Sequence, residues 1–317
     1  MLSLSAFKRA GVLLCALLLM AAVWGLIRIP GANMLIVVFT FLTSALLADI
    51  RSFRQRLTRA LRLALYSSSA QFLTGISQGR PVLQFFLCTL FACFTFFTLP
   101  RRDGCIAMLI GYLAFFAPPG YQPAIDRIIG IFAGIPVIMT VTMNGLFQPD
   151  AREEKASADA PCLPHEALEI TAQLGTGHLL FQLLQLSQGP WIMLTILFIT
   201  MSASPGKSLA LLAIQRIFAV PLGILAGGFL LGTFCTLDYH FVYLVPFIGA
   251  AGFFLLYNNG DFFLFSVFFM AALTIFTDWM TGPYTRFHFW ELFLSRTLAT
   301  LPGALLVLTS RDDGKKI

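Results

Sequence analysis

What most restricts this chain is a succession of long apolar runs separated by short polar, proline or glycine turns. Gly11–Ile27 and Val82–Leu99 contain no charged residue. About 20 such residues in a helix cross the hydrocarbon core of a bilayer, where every backbone N–H and C=O must be satisfied within the protein. Apolar residues make up 58% of the chain and charged residues 11%, against about 25% charged in a soluble domain. The polar remainder is too small for a second, aqueous core. The expectation is an all-α, polytopic integral membrane protein with about twelve transmembrane helices of roughly 20 residues each.

The runs arrange themselves as two halves. Residues 1–147 read as a first transmembrane repeat, with helices expected over Gly11–Ile27, Asn33–Leu47, Ala60–Ile76, Val82–Leu99, Cys105–Phe116 and Ile125–Leu146. Lys8 and Arg9 precede the first of them as in a signal peptide, but no small-x-small site follows, so it reads as uncleaved. Residues 148–164 are polar, carry Asp150, Glu153, Glu154 and Lys155, and read as a cytoplasmic linker. Residues 165–310 read as a second transmembrane repeat, with helices expected over His165–Leu186, Trp191–Ala203, Leu209–Leu231, Phe241–Tyr257, Phe262–Thr277 and Trp290–Leu308. The His165–Leu186 helix carries Glu166, Glu169 and His178, and either crosses or lies along the surface. Residues 311–317 form a charged tail, expected to be cytoplasmic.

The net charge of +6 has two readings, nucleic-acid binding or membrane orientation. The Lys and Arg residues sit in short loops between apolar runs, which favours orientation; no nucleic acid is expected as a partner. With a cytoplasmic N-terminus, Lys8, Arg9, the Arg51–Arg62 cluster, Arg101, Arg102, Arg152, Lys155, Lys207, Arg311, Lys315 and Lys316 fall on or near that side. Arg28, Arg80, Arg127, Arg286 and Arg296 fall toward the other, and all four tryptophans, Trp24, Trp191, Trp279 and Trp290, toward the outer interface. Both termini are then cytoplasmic. The six cysteines show no C-x-x-C spacing, so no metal or redox centre is expected. No phosphate-binding loop of the G-x-x-x-x-G-K-[ST] type occurs and the four histidines are scattered, so neither ATP-driven pumping nor an enzyme is expected, and no cofactor.

Asn33–Ile76 aligns without gaps on Pro190–Thr233, placing Arg59 on Arg216 and Phe72-Leu73 on Phe229-Leu230. An even number of crossings per half makes these parallel repeats, a common transporter plan. One pattern recurs at helix starts: Arg127/Gly130/Gly134, Arg216/Ala219/Gly223 and Arg296/Ala299/Gly303. Steps of three and seven share one helical face. The small residues allow close helix packing, and Gly223 with Gly227 forms a G-x-x-x-G pair. Each arginine then either snorkels to headgroups or meets substrate or protons, and Arg59 joins the set through the alignment. Acidic residues at membrane depth are functional candidates: Asp126 beside Arg127, Glu291 near Arg296, and Asp278 after Thr274 and Thr277. Phe262, Phe265, Phe269 and Phe276 share a face that either packs or lines a path for flat substrates.

The arginine-small-glycine pattern at helix starts, in a twice-repeated block of about six helices, with the Phe-rich stretch from Phe262 to Met270 and on to Asp278, resembles the fusaric-acid-resistance (FUSC) and aromatic-acid-exporter family over most of both halves. The resemblance implies a secondary transporter in the bacterial inner membrane that exports small aromatic or amphipathic anions, proton-coupled, with a periplasmic adaptor as partner. Membrane lipids and a small-molecule substrate are the other expected partners, and a homo-oligomer is compatible. The chain departs from family members that carry sizeable cytoplasmic domains. The alternative function is a non-transporting membrane scaffold of an envelope complex.

Overall fold

The computed structural model describes residues 52–116, 120–142, 162–185, 188–203, 208–234, 261–281 and 286–309, with scattered positions in 11–50 and 248–255. The expected helices Gly11–Ile27, Asn33–Leu47 and Phe241–Tyr257, most of the 148–164 linker and the tail lie wholly or largely outside the described residues. The described elements are α1 (Phe53–Ser77), α2 (Pro81–Thr98), α3 (Arg101–Tyr112), which runs into a 3-10 turn at Leu113–Phe116, α4 (Tyr121–Thr142) and α5 (Pro164–Leu184). They continue with α6 (Trp191–Ser202), α7 (Leu209–Phe234), α8 (Phe262–Thr281) and α9 (Arg286–Leu308).

The chain is an all-α, multi-pass membrane protein. Among the described residues, four stretches are long and apolar enough to cross a bilayer: Pro81–Thr98, Tyr121–Thr142, Leu209–Gly232 and Phe289–Leu308. Their outer faces suit lipid. On α2, Val82, Phe86, Leu90 and Phe94 recur every fourth residue and are all exposed, an apolar stripe that water would not tolerate at this extent. Two expected crossings are shorter than a span. α3 and α6 have 12 residues each, about 18 Å of helix against about 30 Å of hydrocarbon. α5 is not among the four spanning stretches.

The chain divides into two compact units, Ser3–Leu179 and Leu180–Ile317. In the first, α1 is the hub, packed against α2, α3 and α4. Arg56 at its start is buried. It donates from Nε to the Ile50 carbonyl at 2.9 Å and from Nη1 to the Thr142 carbonyl. The second acceptor is a last-turn carbonyl of α4, at the negative end of that helix. α5 buries Leu174, Gly175 and His178, with the His178 ring 6.1 Å from Phe85 and 5.6 Å from Phe115. In the second unit α7 is the hub, packed against α8 and α9, and α9 also packs on α6.

Glycines let these helices meet at backbone distance. A Cβ added at Gly223 would fall 2.5 Å from the Val267 carbonyl oxygen, and one at Gly227 2.9 Å from that of Ala271, both on α8. One at Gly303 would fall 2.6 Å from the Ile192 carbonyl oxygen on α6. Between helices in lipid, close packing of this kind supplies much of the association that burial from water supplies elsewhere. Pro136, Pro221 and Pro302 lie inside α4, α7 and α9. Each lacks the N–H that would bond the carbonyl four residues earlier.

Candidate functional site

The recurring pattern sets Arg127 near the start of α4, Arg216 on the second turn of α7 and Arg296 on the third turn of α9. All three are buried. A snorkelling arginine would extend along the lipid face toward headgroups, whereas these guanidinium groups lie among protein side chains.

In the first unit, Arg59 on α1 meets Asp103 on the first turn of α3. Nε donates to Oδ2 at 2.8 Å and Nη2 to Oδ1 at 2.5 Å. The side chains are 18% and 2% exposed, so the two parallel bonds neutralise a charge in a largely dry setting. Arg127 occupies room left by Gly75: a Cβ there would fall 2.9 Å from Arg127 Nη2. Asp126, next in the chain, accepts a hydrogen bond from Gln122 Nε2 at 3.0 Å on the outer side of α4. Gly130 and Gly134 are buried on the same helix.

The second unit gathers Arg216 and Arg296 around one indole. The Arg216 guanidinium carbon lies 4.6 Å from the Phe198 ring centre and 5.9 Å from that of Trp191. The Arg296 guanidinium carbon lies 5.1 Å from the Trp191 centre, and its Nε donates to Gln188 Oε1 at 3.2 Å. Arg216 is fully buried. Its Nη2 reaches only a soft acceptor, Met270 Sδ, at 3.9 Å. Its Nε and Nη1, and Trp191 Nε1, meet no acceptor among the described residues. Cation–π attraction to two rings offsets part of the cost of burying this charge, but a guanidinium stays protonated and its donors call for oxygen.

No carboxylate of the described residues is shown to meet that call. The Asp261 carboxylate accepts from Leu264 N at 2.9 Å at the start of α8. Glu291 is exposed on α9. The side chain of Asp278 lies outside the described residues; it stands eight positions beyond Met270, about 12 Å further along the helix.

The aromatic face of α8 is packed rather than open at its start. Phe262 and Phe265 are buried, Phe265 and Phe269 have ring centres 5.8 Å apart, and Phe269 lies 5.0 Å from Phe198. The rings thus form a ladder leading to the aromatic that Arg216 covers. Phe276 lies outside the described side chains. Trp191 is 2% exposed and serves as the shared face of the two arginines.

Chemically, the arrangement offers a guanidinium that meets no carboxylate among the described residues, an indole N–H and two flat apolar faces. A small anion with a planar body matches it: carboxylate oxygens to the guanidinium donors, ring to Trp191 and Phe198. Sequence reading passed over Asp103, Trp191, Phe198 and Met270. Among the described residues no group of His, Cys, Asp or Glu could hold a metal ion.

Residues 176–310 match the model of the fusaric acid resistance protein-like family. The matched stretch includes Trp191, Phe198, Arg216, Met270 and Arg296, whereas Arg59 and Arg127 precede it. No curated protein and no solved structure matches the chain.

Proposed function

We propose, from the fusaric acid resistance protein-like stretch and the buried arginine within it, that this chain is a secondary transporter exporting small aromatic or amphipathic anions, coupled to protons. The observation that carries the reading is Arg216: a fully buried guanidinium between Trp191 and Phe198 that meets no carboxylate among the described residues. Leaving a charge in that state costs several kcal/mol, and a passing anion would relieve the cost while it is bound.

The same reading places the protein in a bacterial inner membrane with both termini cytoplasmic, about twelve crossings in two parallel repeats, and a periplasmic adaptor as partner. The repeat is supported by the equivalent hubs: α1 with Arg59 packs on α4 with Arg127, as α7 with Arg216 packs on α9 with Arg296. Asp278 remains the proposed outer proton carrier, from its sequence position alone.

Arg216→Lys tests the function. Guanidinium grips a carboxylate through two parallel bonds that an ammonium cannot copy. Each hydrogen bond to a charged group contributes about 1.5–3 kcal/mol, and about 1.4 kcal/mol is a factor of ten. Export of an aromatic carboxylate by Arg216→Lys, at matched protein levels, is expected to fall roughly tenfold or more. Unchanged export removes Arg216 from the pathway and leaves it only a packing and anchoring role.

A further inference from the structure

Two arginines that the sequence alignment pairs sit on the two hub helices, and among the described residues their neighbours differ in one respect. On α1, Arg59 receives a carboxylate from the helix packed beside it, Asp103 on α3. On α7, Arg216 receives a thioether from the helix packed beside it, Met270 on α8. We infer that Met270 is a specificity-determining residue: by withholding an internal carboxylate it keeps Arg216 open to an anion from outside the chain. This rests on the proposed anion export and deepens it, because it names what makes one of the two stations receptive and the other closed.

The physical argument is competition. An anion arriving at Arg59 would have to displace a carboxylate held by two short bonds and already within the fold, which pays no translational entropy to stay. An anion arriving at Arg216 displaces a sulfur that is a weak acceptor at 3.9 Å. Met270 is also fully buried and touches the hub, its Cβ being among the atoms that a side chain at Gly223 would strike. Its position is therefore fixed by the close seam between α7 and α8. A thioether of that length fills the space beside the guanidinium without charge and without a strong hydrogen bond.

Glutamate is close to methionine in length, so Met270→Glu places a carboxylate within reach of Arg216, as Asp103 is of Arg59. Met270→Gln is the neutral control of the same size. The full chain, purified in detergent, is titrated with benzoate as probe, read as a rise in melting temperature. Wild type is expected to respond and Arg216→Gln not to. Met270→Gln is expected to keep benzoate affinity within about threefold of wild type, and Met270→Glu to lose at least about tenfold, a change of about 1.4 kcal/mol. Without benzoate, Met270→Glu is expected to melt no lower than Met270→Gln, because the introduced carboxylate meets a waiting cation. Equal benzoate affinity in the two Met270 variants overturns the inference and leaves the anion site standing. Loss of folded protein in Met270→Glu but not in Met270→Gln also overturns it, since a carboxylate that met Arg216 would be neutralised. A wild type whose melting ignores benzoate, or responds equally when Arg216 is Gln, overturns the parent reading and the inference with it.

Discussion

A guanidinium inside a helical membrane protein must find negative charge, carbonyl oxygen or a π face, and this chain uses all three. Arg56 takes backbone carbonyls, Arg59 a carboxylate, and Arg216 two rings. The differences are testable in stability. Removing one partner of a buried pair strands the other, at a cost of about 3–5 kcal/mol. Asp103→Leu is therefore expected to lower the melting temperature markedly. Arg59→Met combined with it should restore most of the loss, since no charge is then stranded. Losses that simply add in the double variant would show that the two side chains do not support each other. Arg127, Arg216 and Arg296 were legible in the sequence because each is followed by small residues at steps of three and seven, whereas Arg59 entered only through the alignment. Asp103 was not, because Pro100-Arg101-Arg102-Asp103 looks like a polar turn that closes one helix. It is instead the opening of α3, where Pro100 stands at the N-cap and Asp103 complements the positive end of the helix. Trp191 was legible only as a tryptophan at the start of an apolar run, the mark of an interfacial belt; nothing local announces that two cations will cover it.

At the level of helices, the close seams make a sharp contrast available on α7. A methyl at Gly223 would strike the Val267 carbonyl and the Met270 side chain, so Gly223→Ala must push α8 away. Overpacking of this kind costs typically about 1–3 kcal/mol. Gly232, on the same helix, has no atom within 4 Å of where its Cβ would be, and Gly232→Ala should be neutral or stabilising by up to about 1 kcal/mol. Thermal unfolding of the two variants checks the pair; similar effects would mean that α7 and α8 are not in backbone contact. Helix existence was largely legible here, because the apolar runs are long and the punctuation strong. α2 was expected over Val82–Leu99 and is Pro81–Thr98; α6 was expected over Trp191–Ala203 and is Trp191–Ser202. The departures occur where polar residues are helical. α1 starts at Phe53 rather than at the expected Ala60, because arginine is a good helix former and Arg56 finds carbonyls to satisfy it. α9 likewise starts at Arg286 rather than at Trp290.

For the molecule as a whole, the distribution of Lys and Arg makes a prediction independent of any site. Reporter fusions at Lys316 and within residues 148–164 should both give a cytoplasmic signal, since positively charged loops stay on that side; a periplasmic signal from either breaks the proposed topology. The prolines inside α4, α7 and α9 bear on how such a molecule can deform. A helix that lacks one bond of its ladder bends more easily at that point than elsewhere. Pro221 marks such a point within the continuous helix α7, between two rod-like stretches. The rod after it carries Gly223 and Gly227 and is keyed into the backbone of α8; the rod before it carries Arg216. In mechanical terms the keyed rod is a fixed mounting and the other an arm, and the load on the tip of that arm is the charge of whatever Arg216 holds.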